Sequence, residues 1–386
     1  MRFFSLFLAF GLLASGCGDD AASGATDWVW DLPETVPEPR VPEDNPMTQA
    51  KVELGRFLFY DTRLSGNQTQ SCGSCHQQAL AFTDGLARSE GSTGQLHPRS
   101  SMSIANSAYA ASLTWANEVL VRLEDQALVP MFGEDPVELG LANMEDILLE
   151  RLRDDERYPE MFADAFPEDL DPIKLDSITK TLAAFQRSVT SFKSRVDRWQ
   201  AGDATALNAS EQRGLALFLG GPNEAGVEDA FECFHCHGGF LFSQASDDAG
   251  QVFDQKFFMN NGLYNLDEDG SYPAGNQGLF DMTGDPADKG RFKPPSLRNI
   301  ALTAPYMHDG SIATLEEVLD HYARGGRLIE DGPNAGDGAL NPNKSSFVSG
   351  FAITEREKAD IIAFLKALTD EDLLTNPAYS DPFAEP

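Results

Sequence analysis

The sequence predicts a mainly α-helical protein made of two similar halves. The pattern C-x-x-C-H occurs twice, at 72–76 and 233–237. Each copy follows an amphipathic, helix-like segment and a loop. Strand-like alternation is sparse along the 386 residues. We therefore expect two helical domains of related plan, as an old duplication would produce.

Both copies of the pattern have the spacing of covalent c-type haem attachment, in which two thiols bond to the haem and the histidine binds its iron. The residues concerned are Cys72, Cys75, His76, Cys233, Cys236 and His237. A Cys₄ zinc site is the alternative, but zinc ribbons separate their cysteine pairs by about 15–20 residues, and here more than 150 intervene. The sequence thus predicts two cytochrome c-like domains, each with one haem c, with the haems bracketing the domain interface.

The first 17 residues are typical of a bacterial lipoprotein signal. Arg2 precedes a short apolar run, and Leu13-Ala-Ser-Gly-Cys17 is similar to a lipobox. Ordinary signal cleavage nearby is the alternative. Residues 18–45 are predicted to form an acidic, Pro-rich tether. Cys17 and the four motif cysteines account for all five cysteines, so none is left for a disulfide. We expect a periplasmic protein held to the membrane by lipid on Cys17.

The formal net charge of −32 excludes nucleic acid as a partner and favours basic proteins or simple solubility. The length suggests two domains, which we place at 46–202 and 203–386. The hydrophobic periodicity predicts helices over 47–61, 123–130, 144–153, 173–199, 211–219, 314–323 and 354–368. Ser210 is the predicted cap of the helix before the second haem motif.

From about residue 46 to 369 the chain resembles the bacterial di-haem cytochrome c peroxidase and MauG superfamily. The shared motifs are Glu53-Leu-Gly-Arg56, Leu123-Glu-Asp-Gln126, Pro136-Val-Glu-Leu-Gly140, Leu297-Arg-Asn-Ile300 and Thr303-Ala-Pro-Tyr-Met-His-Asp-Gly310. Within the superfamily, Thr114-Trp-Ala-Asn117 and Asn261-Gly-Leu-Tyr-Asn265 resemble the MbnH-like branch most closely. Like MauG, that branch uses peroxide to oxidise aromatic side chains of a partner protein.

The resemblance implies that Tyr322 is the distal ligand of the second haem. The peroxidases have a methionine at this position, and MauG-type enzymes have a tyrosine. A neutral thioether favours Fe(II), whereas a phenolate, a hard anionic donor, should stabilise Fe(III) and Fe(IV). Met307 and His321 are alternative ligands, and Tyr322 as a plain core residue is a further alternative.

The resemblance also implies that the first haem is the peroxide site, with an open or exchangeable sixth position. Glu138 and Gln126 match the glutamate and glutamine that assist O–O cleavage, which needs a group that moves a proton. Their spacing departs from the peroxidases by two residues, and Glu138 as a helix N-terminal acid is the alternative. Trp115 matches the tryptophan between the haems, although it could be a core residue. His97 is offset from the removable distal histidine and is expected to be a loop residue.

A calcium ion between the haems is a further family feature. Thr303 and Pro305 match two of its ligands, but Ser100 replaces an asparagine, which puts the ligand set in doubt. His308 is expected to hydrogen-bond near the second haem without binding iron. His235 lies within the second haem motif and is expected to be exposed.

The resemblance implies a peroxide-dependent di-haem oxidoreductase that forms a high-valent state and oxidises Trp or Tyr residues of a partner protein by long-range electron transfer. The alternative is a cytochrome c peroxidase that reduces H₂O₂ with electrons from a small basic cytochrome. A non-enzymatic electron-transfer protein is a third hypothesis. The sequence carries no motif that identifies the partner.

Overall fold

The computed structural model describes residues 28–220, 231–248 and 257–384. The predicted signal, Cys17 and the first ten residues of the tether lie outside these ranges. Within them, no helix combines the length and the apolar character that a membrane span needs. Most of the regular secondary structure in the described chain is helical, as predicted.

Eight α-helices lie between residues 28 and 203, namely α1 (Gln49–Tyr60), α2 (Cys72–Cys75), α3 (Leu123–Gln126), α4 (Leu128–Phe132), α5 (Glu145–Arg153), α6 (Tyr158–Ala165), α7 (Leu175–Ser188) and α8 (Arg195–Gln200). The described remainder of the chain contains six more α-helices, α9 (Ala209–Leu219), α10 (Phe234–His237), α11 (Phe280–Thr283), α12 (Leu315–Arg324), α13 (Glu355–Ala367) and α14 (Glu371–Thr375). Two antiparallel pairs of two-residue strands lie between them, β1 (Met259–Asn260) with β2 (Arg291–Phe292) and β3 (Leu328–Ile329) with β4 (Gly336–Asp337).

The helices expected over 47–61, 144–153, 314–323 and 354–368 are confirmed to within two residues at each end. The single helix predicted over 173–199 is wrong, because the chain leaves the helical path after Ser188. Ser191 N donates to Asn106 Oδ1 at 2.8 Å, and Lys193 N donates to Asp370 Oδ2 at 3.0 Å. These long-range bonds hold the break between α7 and α8.

The predicted cap of α9 is also wrong. Asn208, not Ser210, caps the helix, because its Oδ1 accepts hydrogen bonds from the backbone N–H groups of Ser210 and Glu211. The Ser210 hydroxyl instead donates to the Asp360 carboxylate on α13. This contact ties the start of α9 to the helix against which it packs.

The two halves repeat one helix crossing around a glycine. In the first half, a Cβ placed on Gly55 of α1 would lie 1.9 Å from the backbone oxygen of Thr181 on α7. In the second half, a Cβ on Gly214 of α9 would lie 1.9 Å from the backbone oxygen of Asp360 on α13. Only a residue without a side chain allows backbones to approach this closely. The repeated crossing supports the duplication that the haem motifs suggested.

Replacing either Gly55 or Gly214 with alanine should therefore force the paired helices apart. We expect each variant to lose about 1–3 kcal/mol of stability or more, as overpacked cores do. This loss of stability should lower the thermal unfolding midpoint of the haem-loaded protein by several degrees. Lys366→Ala, at an exposed position of α13, is the control and should change stability by no more than ~0.5 kcal/mol. An unchanged midpoint in both glycine variants would contradict the close crossing.

Two large apolar clusters form most of the core of the described chain, beside two small ones. One large cluster surrounds α1 and α7, and the other surrounds α9 and α13. The chain after α13 returns to the first half, where Tyr60 Oη donates to Tyr379 O at 2.7 Å and Leu373 joins the first cluster. Trp28 and Trp30, within the predicted tether, pack on the same cluster. The division at 202/203 stays a prediction.

Candidate active site

The first C-x-x-C-H motif lines a cavity of about 470 Å³. Helix α1 leads to it, and α2 places Cys72, Cys75 and His76 on its wall. His76 Nδ1 lies 3.0 Å from the backbone oxygen of Phe82. An N–H donated there fixes the ring and leaves Nε2 for a metal.

The second motif lines a separate cavity of about 210 Å³. His237 Nδ1 lies 3.2 Å from the backbone oxygen of Pro295 and 3.3 Å from that of Phe242. Burial lowers the pKa of His237 to about 4, which keeps the ring neutral as a ligand must be. All four motif cysteines carry free thiols. In both halves the residues present therefore fit a covalent haem c.

Glu138 and Gln126 both line the first cavity, together with His76. Gln126 ends α3, and Glu138 lies in the loop before α5. The structure thus brings together two residues that the resemblance had paired. The Glu138 side chain is 37% exposed, yet desolvation raises its pKa to about 6. A carboxyl group with this pKa accepts and returns protons near neutral pH.

Trp115 lines both cavities. Its indole Nε1 donates to the backbone oxygen of Ser100 at 2.8 Å. Ser100 in turn reaches the other half, since its N–H donates to His308 O at 2.9 Å and its hydroxyl donates to Met307 O at 3.2 Å. The indole is therefore fixed between the two predicted haem sites.

Lys293 is a site residue that the sequence analysis missed. It also lines both cavities and is only 7% exposed. Its Nζ donates to Ser112 O at 2.7 Å, and its backbone N–H donates to Trp115 O at 2.8 Å. Burial lowers its pKa to about 8. A lysine within the apolar run Phe292-Lys-Pro-Pro295 was the signal that could have identified it.

Two of the predicted distal ligands face the second cavity. Tyr322 and Met307 both line it with His237. Asn261 contacts both, since its Nδ2 lies 3.3 Å from Met307 Sδ and its side chain hydrogen-bonds Tyr322. Desolvation raises the pKa of Tyr322 to about 12, so a phenolate there requires a metal cation to displace the proton. The sequence motif that contains Asn261 did not predict this contact with both candidate ligands.

The other predicted histidines occupy different places around this cavity. His321 is not on its wall, and its Nε2 lies 3.1 Å from Asn261 O. His308 lines the cavity and stacks on Phe292 with ring centroids 3.6 Å apart. Its buried Nε2 has no hydrogen-bond partner among the residues that the structure describes. His235 lines it as well and is partly exposed, stacked on Phe347.

The predicted calcium ligands form a weak donor set. Thr303 Oγ1 donates to Ile300 O at 3.2 Å, and Ser100 Oγ donates to Met307 O. Among the described residues, no cluster of three carboxylate, histidine or cysteine side chains is arranged for a metal ion. Neutral oxygens without a carboxylate bind calcium poorly. Calcium, with Pro305 as the third ligand, stays a prediction.

Comparison with known proteins identifies the family. The family model described as di-haem cytochrome c peroxidase matches residues 49–205. The chain is 38% identical over 368 residues to the cytochrome-c peroxidase IdrP1 of Denitromonas iodatirespirans, covering 90% of this chain and 87% of that protein. It is 35% identical to the methylamine utilization protein MauG of Methylorubrum extorquens, covering 88% and 83%. The chain belongs to the di-haem cytochrome c peroxidase and MauG family.

A solved structure extends this relationship. The crystal structure of a MauG-like protein associated with microbial copper homeostasis superposes with a TM-score of 0.88 and 51% identity, over 92% of this chain and all of that one. As a member of the family, this protein is a peroxide-dependent di-haem oxidoreductase with two haem c groups. Hydrogen peroxide and a protein partner or cytochrome donor follow from the same membership.

Proposed function

We propose that this family member uses hydrogen peroxide to oxidise aromatic side chains of a partner protein. The observation that carries the proposal is the phenol of Tyr322 on the wall of the second cavity, which His237 also lines. His237 would supply a nitrogen ligand to the haem iron, and Tyr322 would supply an oxygen ligand. When bound, the haems react with peroxide and hold its oxidising equivalents. The phenolate oxygen would favour the more oxidised forms of the second iron, as its negative charge stabilises high positive charge.

Glu138 and Gln126 prepare the first cavity for peroxide. The Glu138 carboxylate accepts the proton from one peroxide oxygen and returns it to the other. The Gln126 amide offers both a donor and an acceptor on the same cavity wall. Both side chains lie on the cavity lined by His76, as this role requires.

Trp115 connects the two sites. Its indole lines both cavities, and one hydrogen bond fixes its orientation. An aromatic ring between the two sites divides electron transfer into two steps, each shorter than the direct distance from one site to the other. The partner's aromatic side chain would therefore be oxidised from the second half of the protein, away from the peroxide.

A cytochrome c peroxidase is the second candidate function. The acidic net charge of −32 suits a basic cytochrome donor, and IdrP1 is named a cytochrome-c peroxidase. Met307, whose thioether lines the second cavity, would be the expected ligand in that case. The similar structure is a MauG-like protein, which supports the protein-oxidase proposal instead.

Trp115→Phe should separate the two stages of the reaction. We expect the first reaction with peroxide to be nearly unchanged, because Glu138 and Gln126 stay in place. Oxidation of the partner should slow by about tenfold or more, which corresponds to ~1.4 kcal/mol in barrier. Stopped-flow absorption measures the first stage, and mass spectrometry of oxidised Trp and Tyr in a protein encoded by a neighbouring gene measures the second. Trp199→Phe, at a tryptophan that lines neither cavity, is the control; equal slowing in both variants would contradict the route.

The predicted location completes the proposal. An exported protein, lipid-anchored through Cys17 in the periplasm, would meet a partner protein in the compartment where c-type haems are attached. The signal residues lie outside the described ranges, so the lipobox pattern in the sequence alone supports this part.

A further inference from the structure

The loop that carries His97 is held against the segment that carries Glu138. Ser92 N donates to Glu138 O at 2.7 Å, and Val137 N donates to Gln95 Oε1 at 2.8 Å. His97 N donates to Ser89 O at 2.8 Å, which closes the loop on itself. These bonds, all donated by backbone N–H groups, fix the position of the His97 loop relative to Glu138.

The two side chains face each other on the wall of the first cavity. His97 Nε2 lies 3.7 Å from Glu138 Oε1, and both residues line the cavity with His76. On its other side the imidazole is fixed by Arg99, because Nδ1 lies 3.1 Å from both the backbone N–H and the backbone oxygen of that residue. His97 lies in a loop, as expected, but its side chain lies on the wall of the first cavity.

We propose that His97 is a positioning residue for Glu138, with which it shares the proton that Glu138 exchanges with peroxide. If Nδ1 accepts from Arg99 N–H, Nε2 carries a proton toward the carboxylate. If Nδ1 donates to the Arg99 oxygen, Nε2 accepts from the protonated carboxyl. Either tautomer can therefore present Oε1 with a matching partner, a donor for the ionised carboxylate or an acceptor for the protonated carboxyl. The inference rests on the role proposed above for Glu138.

The surroundings of the pair favour the neutral form of both groups. Burial lowers the pKa of His97, the hydrogen bond with the Arg99 backbone raises it in part, and the charges of Arg99 and Arg88 lower it further. Arg88 Nε also donates to His97 O at 2.8 Å, and Arg99 is paired with Asp281 at 3.4 Å. Desolvation raises the pKa of Glu138 to about 6. Both shifts disfavour an imidazolium–carboxylate ion pair and favour a neutral imidazole beside a protonated carboxyl group.

The balance of the step is simple. One O–H bond of the peroxide breaks, and its proton passes to Glu138, whose carboxyl group can then donate toward His97 Nε2. The O–O bond breaks next, the same proton forms an O–H bond with the departing oxygen, and that oxygen leaves as water. The two electrons that reduce it would come from the bound haems. The pair thus ends with the protons it had at the start, and His97 needs no direct contact with the peroxide.

Cyanide binding to the ferric, fully loaded protein tests the pair without catalytic turnover. HCN must lose its proton when cyanide binds the first haem, so its association rate reports the proton acceptor. We expect His97→Leu to slow association by about tenfold or more and to move the midpoint of its pH profile. His97→Gln keeps a hydrogen-bond donor and should recover most of the rate but not the wild-type midpoint. Glu138→Gln should remove the pH-dependent acceptor altogether.

The double variant His97→Leu/Glu138→Gln decides whether His97 acts through Glu138. We expect it to match Glu138→Gln alone, because His97 then has no carboxyl group to position. Multiplicative losses, or a wild-type rate and midpoint in both His97 variants, would overturn the proposal. If His97→Leu loads no haem, the midpoint of His97→Gln gives the same decision. The cyanide result does not depend on whether a partner protein is oxidised.

Discussion

Replacing Glu138 with glutamine is expected to slow the reaction with hydrogen peroxide by about 10²- to 10⁴-fold, the usual contribution of a positioned acid–base group. Glutamine preserves shape and hydrogen bonding in the first cavity but cannot take up a proton. In the wild-type protein the carboxylate must be ionised to accept the proton. Its pKa is raised to about 6, so the rate should increase as the pH rises through about 6 and level off above it.

The measurement is the rate of spectral change after mixing with peroxide, from pH 5 to 8. Glu145→Gln, at an exposed glutamate at the start of α5, removes one negative charge elsewhere in the same half and should keep the wild-type rate and profile. If Glu138→Gln keeps the rise near pH 6, another group accepts the proton, and the role of Glu138 is wrong.

Tyr322→Phe is expected to have the largest effect on the second site. It removes the phenol from the wall of the second cavity and leaves Met307 beside Asn261. Because loss of groups that only orient a metal ligand costs about 10–100-fold, loss of the ligand itself should reduce partner oxidation by about 100-fold or more. The first reaction with peroxide should persist, since Glu138 and His97 are untouched.

Met307→Leu distinguishes the two proposed ligands. With Tyr322 as the ligand, the absorption spectrum of the ferric protein changes in Tyr322→Phe and stays the same in Met307→Leu. The reverse pattern assigns the sulfur to the iron and favours the cytochrome c peroxidase function. Resonance Raman spectroscopy gives an independent reading, because tyrosinate ring vibrations are enhanced only when the phenolate binds the metal.

The sequence predicted those features that follow from local patterns. The periodicity of 314–323 and the capping residue Thr314 define α12, and this helix carries Tyr322 to the second cavity. The glycines of α1 and α9, in contrast, gave no sign that their helices cross α7 and α13 at backbone contact. That crossing depends on residues more than 100 positions apart.

The contacts that the sequence did not predict are made by loops. His97 and Glu138 meet because hydrogen bonds join two loops 41 residues apart, and neither loop has a periodic pattern. Lys293 lies in a short apolar run whose burial between the cavities is set by Ser112 and Trp115. Long-range hydrogen bonds of this kind have no sequence signature.

The most direct test is to add hydrogen peroxide to the fully oxidised, haem-loaded protein without any reductant. The account predicts an immediate spectral change in both haems that is long-lived and that disappears when a partner's tryptophan or tyrosine is oxidised. If the oxidised protein does not react and becomes active only after one haem has been reduced, the second site serves as an electron relay, and the proposed oxidation of a partner protein is wrong.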